Sequence, residues 1–154
     1  MGNIAPLPLA VLVTGDGDRA ATLAGLSGAA ASGLAVTVDG DAAGWHLVLP
    51  AGARLPPGWH VVVAAHIADP RNSRRAAAFA LRLDDPTPAA RRAELLVAVM
   101  NRRLGRAVPE QGRLSPGLAA TGRMEFFDLE LLSPATRWRR GGWLGTVLRD
   151  ALGR

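Results

Sequence analysis

The sequence predicts an α/β fold, a mostly parallel sheet flanked by helices, in one domain spanning residues 1–154. Three observations predict it. First, the Val-rich run Leu9–Thr14 is broken by Gly15-Asp16-Gly17-Asp18, passes through a helical stretch and meets a second apolar run at Leu34–Val38. A strand–helix–strand unit this short implies a parallel pair joined by a right-handed crossover. Second, two more strand-like runs follow at Trp45–Leu49 and Phe79–Leu83. Third, Pro86 and Pro88 introduce an amphipathic helix over about 89–104, with Leu95, Leu96, Val99 and Met100 at helical spacing and Gly105 at its end.

The remaining elements follow in order. Asp18 can cap a helix over about 19–31, stopped by Gly33. Asp39-Gly40-Asp41 is a turn, and the Pro- and Gly-punctuated stretch 50–58 is loop. Trp59–Ala65 is strand or helix; its valines favour strand. Residues 106–122 read as loop, 124–132 as a short helix or strand, and 142–152 as a C-terminal amphipathic helix. In that last helix Trp143, Leu144, Val147, Leu148, Ala151 and Leu152 form one apolar stripe, expected to bury against the protein itself or a partner subunit.

Composition narrows the function classes. With no Cys, the chain has neither disulfides nor thiolate metal sites. No apolar run reaches the roughly 18 residues of a membrane span, and no basic region precedes the first apolar run. A cytoplasmic location is the expectation. All 18 basic residues are Arg, amid abundant Ala, Gly and Pro, a composition typical of GC-rich bacterial coding. The charge is uneven: residues 1–72 hold 3 Arg and 5 acids, a net of −2, and residues 73–154 hold 15 Arg and 8 acids, a net of +7. A basic half attracts phosphates. Without Lys, however, Arg must supply every solvated positive charge, so nucleic acid is not an expected partner.

Three constellations stand out. Gly15-x-Gly17 after the first strand suggests a dinucleotide turn, but Ala20 stands where the third glycine belongs, so a flexible turn is the plainer reading. His46, His60 and His66 would share a face only if their segments formed a hairpin, and histidines satisfied by hydrogen bonds are expected rather than a metal site. Arg137-Trp138-Arg139-Arg140 with Trp143 has the residue types of a phosphate-and-stacking patch; a surface Arg cluster with packed tryptophans is the alternative.

Taken together, the segments resemble a bacterial family 2 glycosyltransferase of the GT-A fold. The resemblance runs through Val38-Asp39-Gly40-Asp41, Leu49-Pro50-Ala51-Gly52-Ala53-Arg54-Leu55-Pro56-Pro57-Gly58-Trp59, Glu110-Gln111-Gly112, Met124-Glu125-Phe126-Phe127-Asp128-Leu129 and Arg137-Trp138-Arg139-Arg140-Gly141-Gly142-Trp143. It implies a reduced GT-A-like, Rossmann-like domain. It also implies Asp39 and Asp41 as nucleotide-binding residues and Glu110, Gln111, Arg137 and Trp138 as acceptor or phosphate contacts. Glu125 and Asp128 are the remaining catalytic candidates.

The departures fall on the residues of the chemistry. The segment that completes the family's nucleotide pocket is missing, with only Ala42 and Ala43 after the turn. The acid that helps hold the divalent cation is Gly52, which has no side chain to supply an oxygen ligand. Phe126 stands where the general base is expected, and phenylalanine takes no proton. In an alternative alignment, residues 122–132 belong to a later stretch and the base motif is deleted altogether. The leading expectation is therefore a degenerate homologue that acts as a binding or assembly subunit, with no metal or other cofactor. The alternatives are an active transferase using a nucleotide sugar with Mn or Mg, and a recombined or truncated chain kept for its fold. The C-terminal stripe leaves open a protein partner, a homodimer or a membrane-peripheral position.

Overall fold

The computed structural model describes residues 5–40, 44–117 and 119–152. The fold is α/β: one six-stranded sheet with helices packed on it. Its strands are β1 (Leu7–Thr14), β2 (Leu34–Val38), β3 (Trp45–Pro50), β4 (Ala77–Leu83), β5 (Arg113–Ser115) and β6 (Glu125–Ser133). The helices are α1 (Arg19–Ala24), α2 (Trp59–Ala68), α3 (Pro88–Leu104), α4 (Thr136–Gly141) and α5 (Trp143–Ala151). Among the described residues, no helix is long and apolar enough to cross a membrane.

The strand order is β2-β1-β3-β5-β4-β6. The β1–β2, β1–β3 and β4–β6 ladders are parallel. β5 runs antiparallel to both β3 and β4. The sheet is therefore mixed, which corrects the expectation of a mostly parallel one. The correction comes from a three-residue strand inside the stretch read as loop. Arg113-Leu114-Ser115 is too short to show any periodicity, and only Leu114 among them is fully buried.

Two hydrophobic clusters hold the domain. The larger joins β1, β3, β4, β5 and α2 through Leu9, Val11, Leu47, Leu49, Phe79, Leu114, Trp59 and Val63. The smaller gathers α3, α4 and α5 around the end of β4 through Leu83, Val97, Trp138 and Val147.

Asp18 caps α1 by accepting from the Ala21 N–H at 3.1 Å. α1 nevertheless stops at Ala24, and the rest of the predicted helix is a turn followed by a 3₁₀ turn at Ala29–Ser32. The segment after Gly58 is a helix, not the strand its valines favoured. Helix costs a β-branched residue only a few tenths of a kcal/mol. Burying Trp59 and Val63 against the sheet outweighs that many times over.

α3 has the predicted span, with Thr87 as its cap, but presents another face to the core. Ala90, Ala93, Val97, Met100 and Asn101 are buried, whereas Leu95, Leu96 and Val99 are exposed. The alanines let α3 approach β4 closely, and Asn101 is claimed by a buried amide pair with Gln111. Together these fix which side of α3 faces inward. The ambiguous stretch at 124–132 is the edge strand β6, continuous as far as Ser133.

Candidate functional site

The chain leaves β1 for β2 on one side and then crosses to β3 on the other. At such a switch point the connections diverge and leave a crevice beyond the carboxyl ends of the strands. An open crevice of about 750 Å³ lies at that edge. Its floor is the turn Thr14–Gly17 after β1 and Pro50-Ala51 after β3; its far wall is Pro134, α4 and Arg149 of α5.

The turn is drawn tightly onto β3. A Cβ on Gly17 would overlap the Ala51 carbonyl, so only glycine fits there. The Gly52 N–H donates to Thr22 Oγ1 at 2.8 Å and to the Asp18 carbonyl at 3.1 Å. Gly52 has φ +94°, in the left-handed region, and a Cβ on it would sit 2.8 Å from Pro134 Cγ. The position that the resemblance assigns to a cation-binding acid is thus closed by a proline ring and by its own backbone.

Glu110 is buried under the far wall. Its carboxylate accepts from Arg137 Nη2 at 2.6 Å and from the Trp138 indole N–H at 2.8 Å. Arg137 also donates to both Asp150 oxygens, at 3.0 and 2.7 Å. Burial alone would lower the pKa of this guanidinium, but its hydrogen bonds to Asp150 and Glu110 prevail and raise it, so it stays charged. The three arginines of the wall therefore divide: Arg137 is consumed by two carboxylates, while Arg140 and Arg149 form no ion pair among the described residues. Arg149 lies over Gly141, donating to its carbonyl at 3.3 Å and to Thr146 Oγ1 at 3.2 Å.

The residues singled out from sequence divide between two edges of the sheet. Glu110, Arg137 and Trp138 meet in one cluster at the crevice. Gln111 is adjacent but faces the core, bonded to Asn101, to the Phe79 carbonyl and to the Val108 N–H. Asp39 directly follows β2 at the same edge, in an ion pair with Arg19. Asp41 lies outside the described residues. Glu125 and Asp128 belong to the first half of β6, and Glu125 begins it, pairing with His66 at the amino edge. Glu125 is eight residues from Ser133, about 26 Å along an extended strand. Phe126 lines that same amino-edge hollow, with Glu125 and Asp128, and not the crevice.

The histidines do not assemble. His60 bonds to Ser32 Oγ at 2.6 Å, His66 to Glu125 and the Arg75 carbonyl, and His46 lies on β3 opposite Ser115. Among the described residues, no three His, Asp or Glu side chains are grouped to hold a metal ion. Arg140, part of the phosphate-and-stacking patch expected from sequence, does line the crevice; sequence reasoning missed Arg149 and Asp16 as crevice residues. The only signal for Arg149 was its place flanking the C-terminal stripe, and Asp16 gave none beyond its turn. Compared with protein-family models, curated proteins and solved structures, the chain matches none.

Proposed function

We propose that this chain is a reduced, catalytically degenerate relative of the GT-A-fold family 2 glycosyltransferases. In this reading it is a binding or assembly subunit whose carboxyl-edge crevice takes a phosphate-bearing ligand of the nucleotide-sugar class. The observation that carries the reading is Gly52 against Pro134. The crevice lies where an open α/β sheet takes its ligands. At the position where the resemblance calls for a metal-binding carboxylate, backbone and proline leave no room for a side chain.

Four further features support it. The carboxylate set into the crevice wall, Glu110, is buried and engaged by Arg137 and Trp138 rather than turned towards a ligand. Only residues 39–44 separate β2 from β3, in line with the pocket segment that the resemblance implies is lost. Arg140 and Arg149 supply the cationic wall for a diphosphate, with forks suited to phosphate oxygens. The placement of 125–133 on an edge strand favours the alignment in which the base motif is absent. In that case Glu125 and Asp128 have no catalytic role.

The test is calorimetric titration with uridine and guanosine diphosphates and their sugar conjugates, with and without Mn²⁺, alongside a sugar-transfer assay. The expected result is binding that Arg140→Ala and Arg149→Ala each weaken and that Mn²⁺ leaves unchanged, with no transfer. Tightening by tenfold with Mn²⁺, about 1.4 kcal/mol, or measurable turnover would overturn the degenerate reading. No binding of any of these nucleotides would overturn the ligand class.

A further inference from the structure

α3 and α5 lie side by side and run the same way. Trp143 and Leu144 line a cleft with Ala89, Ala93 and Leu96 at one end, and Arg106 donates to the Ala151 carbonyl at 2.9 Å at the other. Their shared inner surface is buried, but their outer surface is strongly apolar. Leu95, Leu96 and Val99 of α3 are exposed, as are Leu144 and Leu148 of α5 and Leu152 just after it, with exposures from 42% to 68%. With Leu104 they make seven of the nine large apolar side chains exposed among the described residues. Such clustering marks a contact surface, since exposed aliphatics scatter singly when they have no partner.

The charges of this surface have one sign. Arg92, Arg102 and Arg103 fall among the exposed leucines on the α3 helical wheel, and none forms an ion pair among the described residues. The acids of the two helices are turned away. Glu94 is held by Arg91 and the Leu83 N–H, and Asp150 by Arg137. A second copy of the chain would bring arginine against arginine across a two-fold axis, which opposes self-association. Aliphatic side chains set among unpaired arginines, with no acid between them, match an interfacial surface on anionic lipid.

We propose that the outer face of α3 and α5 docks peripherally on an anionic bilayer. Leu95, Leu96, Val99, Leu144, Leu148 and Leu152 enter the acyl boundary, and Arg92, Arg102 and Arg103 sit among the lipid phosphates. The proposal stands apart from the crevice and its ligand.

Sedimentation of the full chain with vesicles tests it, comparing pure phosphatidylcholine with mixtures containing phosphatidylglycerol. Binding is expected only to the anionic vesicles and should weaken with salt. At roughly fivefold per arginine, the combined Arg92→Ser, Arg102→Ser and Arg103→Ser variant should bind on the order of a hundredfold more weakly. Leu95→Ser with Val99→Ser should also release the protein. Val38→Ser, an exposed apolar position elsewhere, should not. Unchanged melting temperatures exclude misfolding as the cause, and single substitutions replace any combination that fails to fold. Absence of binding to anionic vesicles, equal binding to neutral ones, or binding indifferent to these substitutions would overturn the proposal. So would a dimer that dissociates on Leu148→Gln.

Discussion

The Trp138 indole N–H donates to the Glu110 carboxylate at 2.8 Å, across 28 positions of sequence, with both side chains buried. This bond fastens α4 to the turn that precedes β5. Arg137 closes the same carboxylate from the solvent side and links it to Asp150 of α5. The wall of the crevice is therefore one ionic cluster drawn from three separate segments.

Removing the anion should expose how much the wall depends on it. Glu110→Ala leaves the Trp138 N–H without an acceptor and Arg137 with one carboxylate. Because Arg137 keeps partial solvent access, we expect the low end of the cost of breaking a buried ion pair, about 3 kcal/mol. Trp138→Phe removes one hydrogen bond to a charged group and should cost about 2 kcal/mol. Urea unfolding midpoints give both values, and midpoints within error of the parent chain would contradict the buried cluster.

The left-handed position of Gly52 makes a specific forecast for restoring the missing acid. Gly52→Asp must place a Cβ 2.8 Å from Pro134 Cγ at φ +94°. A loss of roughly 1–3 kcal/mol is expected, with no gain of Mn²⁺-dependent nucleotide binding. Thermal unfolding and calorimetry read the two halves separately. A stable variant that binds nucleotide more tightly with Mn²⁺ would show that the loop can open.

Gln111 should tolerate little. Its amide serves Asn101 twice, the Phe79 carbonyl and the Val108 N–H. Gln111→Leu keeps the volume but leaves these groups buried and unpaired. Each orphaned group costs about 1–3 kcal/mol, so a total of at least about 3 kcal/mol is expected from chemical denaturation. A loss below about 1 kcal/mol would mean that water reaches the pocket.

Asp85 gives the pH dependence. Hydrogen bonds from the Thr87 hydroxyl and N–H, then one from Arg139 Nε at 2.9 Å, lower its pKa from the ordinary 3.8 to about 2. A carboxyl whose folded pKa is depressed contributes stability that is present above its unfolded value and lost as pH falls towards the folded one. Stability should therefore drop between about pH 4 and pH 2. Asp85→Asn should be less stable at neutral pH and should flatten this part of the profile. An identical profile for the variant would remove Asp85 from the acid transition.

The C-terminal helix should show two unequal sides. Val147 is buried against α3 and Leu148 is half exposed. Val147→Ala should cost about 2 kcal/mol of unfolding free energy and Leu148→Ala less than about 0.5. Equal costs would mean that the stripe is covered on both sides. Truncation after Gly141 should lower the melting temperature, since it also removes Asp150 from Arg137.

Local chemistry determined a good part of this protein in advance. The breaks at Gly15–Asp18 and Gly105, the cap at Asp18, the strands at 9–14, 34–38, 45–49 and 79–83 and the span of α3 all rest on interactions within a few residues. Composition and periodicity record such interactions directly. What the tertiary structure alone decided involves partners far along the chain. Leu114 becomes a strand residue because β3 and β4 leave a gap that one antiparallel strand fills. Trp59–Ala68 becomes a helix because burying Trp59 outweighs the preference of its valines. α3 turns its alanines inward and its leucines outward because β4 and Gln111 set the approach. Glu125 and Glu110 end at opposite edges of the sheet: Glu125 begins β6 at the amino edge, whereas Arg137 and Trp138, which follow the carboxyl end of β6, hold Glu110 at the crevice. Glycine at position 52 could be read from sequence as a lost ligand. That Pro134 fills the space beside it depends on residues 82 positions apart, and only the packing of the folded chain brings those two together.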